Sequence, residues 1–452
     1  MASAGGLKGL AVYWNHHATP LVARRIPMKG GPVDLSVFSE MESEVRSYIR
    51  SFPVVFDTAR GGVLWDEDGR EYIDFFCGAG TLNYGHNNPA FKQPIIDYLQ
   101  ADKIQHALDM ATGAKRRFLE TFRDVILEPR GLDYKLQFTG PTGANAVEAA
   151  LKLARQATGR RTVVAFTHAF HGVSLGSLAA TANSWFRDAA GVSLPDVVFH
   201  PYDGYYGDEI DTVSMLRTLL EDPSSGLDEP AAVIVETVQG EGGVNVARAE
   251  WLRALDALCK ERGILLIVDD IQIGVGRSGT FFSFEEIGID PDVVILSKSL
   301  SGYGFPMSLV LIKPEHDVWK PATHTGTFRG NSVAFVGATA ALETYWADPE
   351  FPAQIAHRTK IVADRLAAIV ERHPDRFTTR GRGLLQGLVC DDPALAKAIS
   401  QGSFANGVIV ELSGAHDEVL KLMPPIAGDD ETLIRGLDII EAATEAALAA
   451  AA

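Results

Sequence analysis

The chain has 452 residues, 46% hydrophobic and 22% charged, a composition that suits two globular domains or one large domain with a subsidiary one. A formal net charge of −17 excludes the basic footprint of a nucleic-acid binder and of a surface drawn to anionic lipid. The three cysteines, Cys77, Cys259 and Cys390, make no metal-ligand or redox spacing, no apolar run nears the about 20 residues of a membrane span, and the N-terminus lacks a secretory layout. The expectation is a soluble, cytoplasmic protein with no metal, nucleic-acid or membrane partner.

Along the chain, residues 1–33 show no clear period and hold the Gly-rich MKGGP, so they read as a loosely attached arm. From residue 134 onward, short apolar runs alternate with helical patterns. YKLQF (134–138) precedes the amphipathic TGANAVEAALKLARQATG, and TVVAF (162–166), AAVIV (231–235), ILLIV (264–268) and DVVIL (292–296) follow. Continuous apolar strands alternating with helices predict an α/β fold with a mainly parallel sheet covered on both faces. The alanine-rich end, AATEAALAAAA, reads as the last turns of a helix.

Ligands on such sheets bind beyond the carboxyl ends of the strands. The residues that follow the five runs are TGPTGAN, THAFHG, ETVQGEGG, DDIQIG and SKS, so one sheet edge receives a small-residue loop, an aromatic with a histidine, two glutamates, paired aspartates and a lysine. GPTGAN opens a helix, where free N–H groups favour an anion; it also reads as a plain helix cap. Phe170 and His171 can stack on a flat ring or simply pack in a core. Asp269 and Asp270 end a very apolar strand, where a carboxylate needs a cation or a strong donor, or else caps the next segment. Glu236, Glu241 and Lys298 taken singly are ordinary solvated groups. Together, a phosphate cradle, a stacking aromatic, a carboxylate and a lysine suggest pyridoxal phosphate, with the lysine forming the Schiff base and the carboxylate holding the pyridine nitrogen protonated.

IVETVQGEGG, LLIVDDIQIGVGRSGTFFSFEEIGIDPDVVILSKSLSGYGFP and GTFRGN resemble the signature blocks of the class III aminotransferases of fold type I, and GGVLWDEDGREYIDFFCGAGTLNYGHNNP resembles that class's N-terminal block. The resemblance runs over roughly residues 34–445. It implies that Lys298 is the Schiff-base lysine, Asp269 the partner of the pyridine nitrogen, Gln272 a contact to the ring hydroxyl and Phe170, with His171, the wall on the ring face. It places the phosphate on Thr142, Gly143 and Ala144, with Thr327 reaching the phosphate site of a neighbouring subunit in a homodimer or a dimer of dimers. Glu236 and Glu241 become candidates for orienting the cofactor and gating the substrate. The class often binds the α-carboxylate of glutamate through an arginine near the C-terminus, and EVLKLMPPI puts Lys421 there.

Within the class, FSEMESEVRSYIRSFPVVFDTARG, TLNYGHNNP and the Asp-Asp pair are similar to the diaminobutyrate–2-oxoglutarate transaminases of ectoine and natural-product biosynthesis. That implies amino transfer between L-glutamate/2-oxoglutarate and aspartate 4-semialdehyde/L-2,4-diaminobutyrate. Another ω-amine, such as ornithine or 4-aminobutyrate, is the alternative. A transcription regulator built on an aminotransferase-like domain would need a basic module before the sheet, which the chain lacks. The implied domains are the arm (1–33), a small domain built from both chain ends (34–90 and 336–452) and a large cofactor-binding domain (91–335).

Overall fold

A computed structural model of the chain describes residues 33–451; the arm expected over 1–33 therefore lies, up to residue 32, outside the described residues. All five apolar runs are strands of one seven-stranded sheet. Its order is Lys135–Phe138, Leu309–Ile312, Val293–Leu296, Leu265–Asp269, Ala232–Val235, Val163–Phe166 and Val197–His200. The last of these, at the sheet's edge, and Leu309–Ile312 were not anticipated. Leu309–Ile312 runs antiparallel to both neighbours. Only residues 297–308 separate it from Val293–Leu296, and a short Lys298–Ser301 turn and glycines occupy them. That is too little chain for a helical crossover, so the strand returns antiparallel.

Successive side chains of these strands enter opposite cores. Val163, Ala165, Ile234, Ile267, Ile295 and Val310 pack with the helix Gly143–Thr158, whose Ala146, Ala149, Ala150 and Ala154 let it lie close to the sheet. Val164, Phe166, Val235, Leu266, Val268 and Leu296 face the other way, toward Trp251, Leu252 and Leu255 of the helix Ala249–Arg262. Burial on both faces is why the runs read as unbroken apolar stretches. Both helices stop at glycines in the left-handed region, Gly159 (φ 70°) and Gly263 (φ 58°), where a side chain would be strained.

One smaller sheet draws on both chain ends and another on the C-terminal part alone. Phe56–Arg60, Val63–Asp66 and Glu71–Asp74 form a meander, and Val408–Ile409 adds to Glu71–Asp74 in parallel. Phe377–Arg382, Leu385–Cys390, Val419–Leu422 and Glu411–Ser413 form the other. The expected terminal helix spans Asp430–Ala451. Among the described residues no helix is long and apolar enough to cross a membrane.

Candidate active site

The carboxyl ends of the central strands open into a cleft of about 180 Å³ lined by Gly143, Ala144, Phe170, His171, Glu236, Glu241, Asp269, Gln272 and Lys298, together with Gly172, Val238, Ile271, Ile273 and Ser297. Lys298 starts a tight turn directly after Val293–Leu296 and sits at φ 46°, a left-handed backbone that a lysine adopts only under local strain. Enclosure pushes its amine below the ordinary lysine range, against the pull of Glu241. A larger share of neutral amine makes a better nucleophile.

Asp269 ends its strand with Oδ2 2.7 Å from Nδ1 of His171, both side chains buried. Burial alone would lower the His171 value, but the bond and charge of Asp269 outweigh it and raise it. The imidazole thus fixes the direction of the Asp269 carboxylate. Asp269 Oδ1 accepts from the Ile271 N–H at 3.2 Å, but turns follow rather than a helix, so the helix-cap reading of the aspartate pair fails. Asp270 points away from the cleft lining and accepts from the Ser283 N–H at 2.9 Å; burial pushes its carboxyl up to about 7. Glu236 accepts from the Phe170 N–H at 3.0 Å, which sets the aromatic wall, and burial pushes its carboxyl up to about 8.

Opposite the carboxylates, the helix Gly143–Thr158 presents its N-terminus. Thr142 does not line the cleft; its Oγ1 accepts from the Asn145 N–H at 3.2 Å and caps the helix. Among the described residues, the N–H groups of Gly143 and Ala144 meet no acceptor, which leaves them for an anion. A Cβ on Gly143 would come 2.9 Å from Ile271 Cδ1, so a side chain there would push that methyl of the cleft lining aside.

The rim toward the chain ends is an ionic chain. Gln272 donates to Glu241 Oε1 at 2.9 Å and to the Ala79 carbonyl at 3.1 Å. Lys421 donates to Glu241 Oε1 at 2.7 Å, and its Nζ lies 3.0 Å from Glu411 Oε2 without hydrogen-bond alignment. Tyr48 donates to Glu411 Oε1 at 2.8 Å. Burial would raise Glu241, but the Lys421 ammonium outweighs it and holds that carboxyl down to about 2. Burial would likewise depress Lys421, yet the two carboxylates leave it raised. Glu411 is raised by burial, so Glu241 takes the larger share of the ammonium.

Thr327 is exposed and absent from the cleft lining, on a loop whose Gly326 lies against Gly140, and Lys421 is likewise absent from the lining. Glu411 and Tyr48 were missed by sequence reasoning. The signal for Glu411 was present in VIVELSGAHDEVLKL, two alternating runs about a turn, whose hairpin register sets Glu411 opposite Lys421.

The family model of class III aminotransferases matches residues 46–444. The chain belongs to the class III aminotransferases. A relative in Bordetella parapertussis named diaminobutyrate–2-oxoglutarate transaminase is 61% identical over 418 residues, 92% of this aminotransferase and 96% of the relative. One of the same name in Nocardia farcinica is 56% identical over 412 residues, 91% and 94% of the two chains. Among solved structures, the ornithine aminotransferase of Toxoplasma gondii superposes with a TM-score of 0.77 at 26% identity, over 90% of this chain and 93% of that one. The fold is that of the fold type I transferases, and enzymes of this class depend on pyridoxal 5′-phosphate. The residues present fit that group: unfilled N–H donors for its phosphate, the glycine-lined wall they stand on, a buried carboxylate–imidazole pair for its ring nitrogen, and a lysine for its aldehyde.

Proposed function

We propose that this aminotransferase is a diaminobutyrate–2-oxoglutarate transaminase, moving an amino group between L-glutamate/2-oxoglutarate and aspartate 4-semialdehyde/L-2,4-diaminobutyrate, and that it works in the cytoplasm as a homodimer or dimer of dimers. The observation that carries the reading is the buried Lys421 paired to Glu241, the carboxylate that lines the cleft together with Lys298. Glutamate reacts at its α-amine and brings a carboxylate next to the reacting carbon; diaminobutyrate reacts at its distal amine and brings none there. An ion pair that opens for the first donor and stays closed for the second serves both. The names of the relatives that share 52–61% of its residues support the choice of diamine.

Bound here, pyridoxal phosphate supplies an aldehyde carbon that carries the amine and a ring that withdraws electrons from it. Asp269, braced by His171, would meet the ring nitrogen and favour its protonated form. Gly143 and Ala144 would hold the phosphate through their N–H groups, and Phe170 would stand against the ring. Lys298 Nζ would hold the resting cofactor through its aldehyde and would serve as the base that moves the proton at the donor carbon. Thr327, next to the exposed Phe328 whose ring lies 5.4 Å from that of His106, belongs on this reading to the face that meets a second subunit.

Single-donor half-reactions, followed by the absorbance of the bound cofactor, test the substrate. L-Glutamate and L-2,4-diaminobutyrate should each convert it, and Lys421→Met should slow the glutamate reaction by about 100-fold, with far less effect on the diamine. Conversion by ornithine or 4-aminobutyrate but not by diaminobutyrate would assign the enzyme to another ω-amine. Sedimentation of the holoenzyme tests assembly; a fully active monomer would remove Thr327 from the site.

A further inference from the structure

The two carboxylates on Lys421 reach it in different ways. Glu241 comes from the turn after Val238–Gln239, on the cleft side, where its side chain can swing without breaking a strand ladder. Glu411 stands directly across the antiparallel pair from Lys421, in register with it, and Tyr48 ties down its other oxygen. Backbone hydrogen bonding therefore keeps Glu411 beside the ammonium when Glu241 leaves. All three groups are largely buried, with side-chain exposures of 0% for Lys421, 10% for Glu411 and 28% for Glu241, so water screens them weakly. One cation between two acids leaves a surplus negative charge at the rim.

That surplus acts on donors of opposite net charge. At neutral pH glutamate is an anion, with two carboxylates and one ammonium. Diaminobutyrate is a cation, with two ammoniums and one carboxylate. We propose that Glu411 is a specificity-determining residue, the fixed counter-charge that weakens glutamate binding and strengthens binding of a diamino acid in the same cleft. The proposal rests on the substrate reading above for its diamine arm alone. Its physical content is that a cation already half neutralised attracts a carboxylate less, while the leftover charge attracts an ammonium more.

Glu411→Gln keeps the side-chain shape and the acceptor for Tyr48, and removes the charge. In holoenzyme half-reactions, KM for glutamate should fall and KM for diaminobutyrate should rise, moving their ratio by about tenfold, with both kcat values held within about threefold. Glu411→Asp keeps the charge and should leave the ratio near that of the unmutated enzyme. Equal changes in both KM values, or an Asp variant that behaves as the Gln variant does, would show a shape role and overturn the proposal. If the unmutated enzyme does not react with diaminobutyrate, the substrate reading fails by itself. The glutamate arm then decides Glu411: a fall in KM supports the proposal, and no change or a rise overturns it.

Discussion

Lys298 joins two unfavourable states, a left-handed backbone and an amine removed from water. Strain of this kind persists only where the surroundings impose it, and here it aims the amine into the cleft. Lys298→Ala should lower steady-state transamination by more than about 1,000-fold, because neither cofactor attachment nor proton transfer at the donor carbon has a substitute group. Its melting temperature should stay close to that of the parent, and a retained rate above that limit would exclude the role. Glu236 gives a prediction with a sign in pH. Its carboxyl stands at about 8 when folded against an ordinary 4.5, so the fold favours the protonated form. That contribution is complete below about 4.5 and is lost as pH rises through about 8. Glu236→Gln keeps the neutral shape at every pH. In cofactor-free protein its stability should therefore exceed that of the parent by a margin that grows from pH 5 to pH 8, at a slope of at most about 1.4 kcal/mol per pH unit. Denaturant melts at the two pH values check this; a constant margin would place the proton elsewhere.

The turn after Ala232–Val235 shows how an element can be tolerant as fold and intolerant as site. A Cβ on Gly240 would fall 1.7 Å from Gln272 Oε1, the end of a flexible side chain that can move aside. Moving it breaks the bond to Glu241, and with it the ionic chain to Lys421. Gly240→Ala should leave stability within about 1 kcal/mol yet lower activity at least about tenfold, read by melts and turnover together. The strand-end residues were legible in the sequence because a fully buried parallel strand is an unbroken apolar run, so Asp269 and Lys298 declare themselves by following one. His171 as the brace of Asp269 was not legible, since the bond joins the ends of two strands whose neighbours in the sheet the sequence leaves open. Leu309–Ile312 escaped because its direction follows from a short connection rather than from its own residues. Glu411 and Tyr48 escaped because their meeting with Lys421 depends on a cross-strand register and a contact between opposite chain ends.

At the scale of the molecule, Arg277 ties the segments that surround the cleft. Fully buried, it donates to Asn83 from the N-terminal part and to the carbonyls of Leu384 and Pro424 from the C-terminal part. Its hydrogen bonds to Asn83, Leu384 and Pro424 all go to neutral oxygens, while the Asp74 carboxylate favours its charge from further away. Arg277→Leu should destabilise the protein by about 3 kcal/mol or more, because the side-chain oxygen of Asn83 and two carbonyls lose their donor inside the protein. A melt shows the size of the loss, and a change under about 1 kcal/mol would mean that water replaces the guanidinium.

The parallel pairing of Val408–Ile409 with Glu71–Asp74 also carries a consequence for biogenesis. Ile73 and Phe75 donate their N–H groups to the carbonyls of Gly407 and Ile409, partners that leave the ribosome more than three hundred residues later. The central sheet has all its strands once Ile312 has emerged, whereas the N-terminal meander waits with an open edge until Val408–Ile409 emerges. Nascent chains halted before residue 407 should thus hold a formed centre and a sticky N-terminal edge, the state in which a chaperone is most needed.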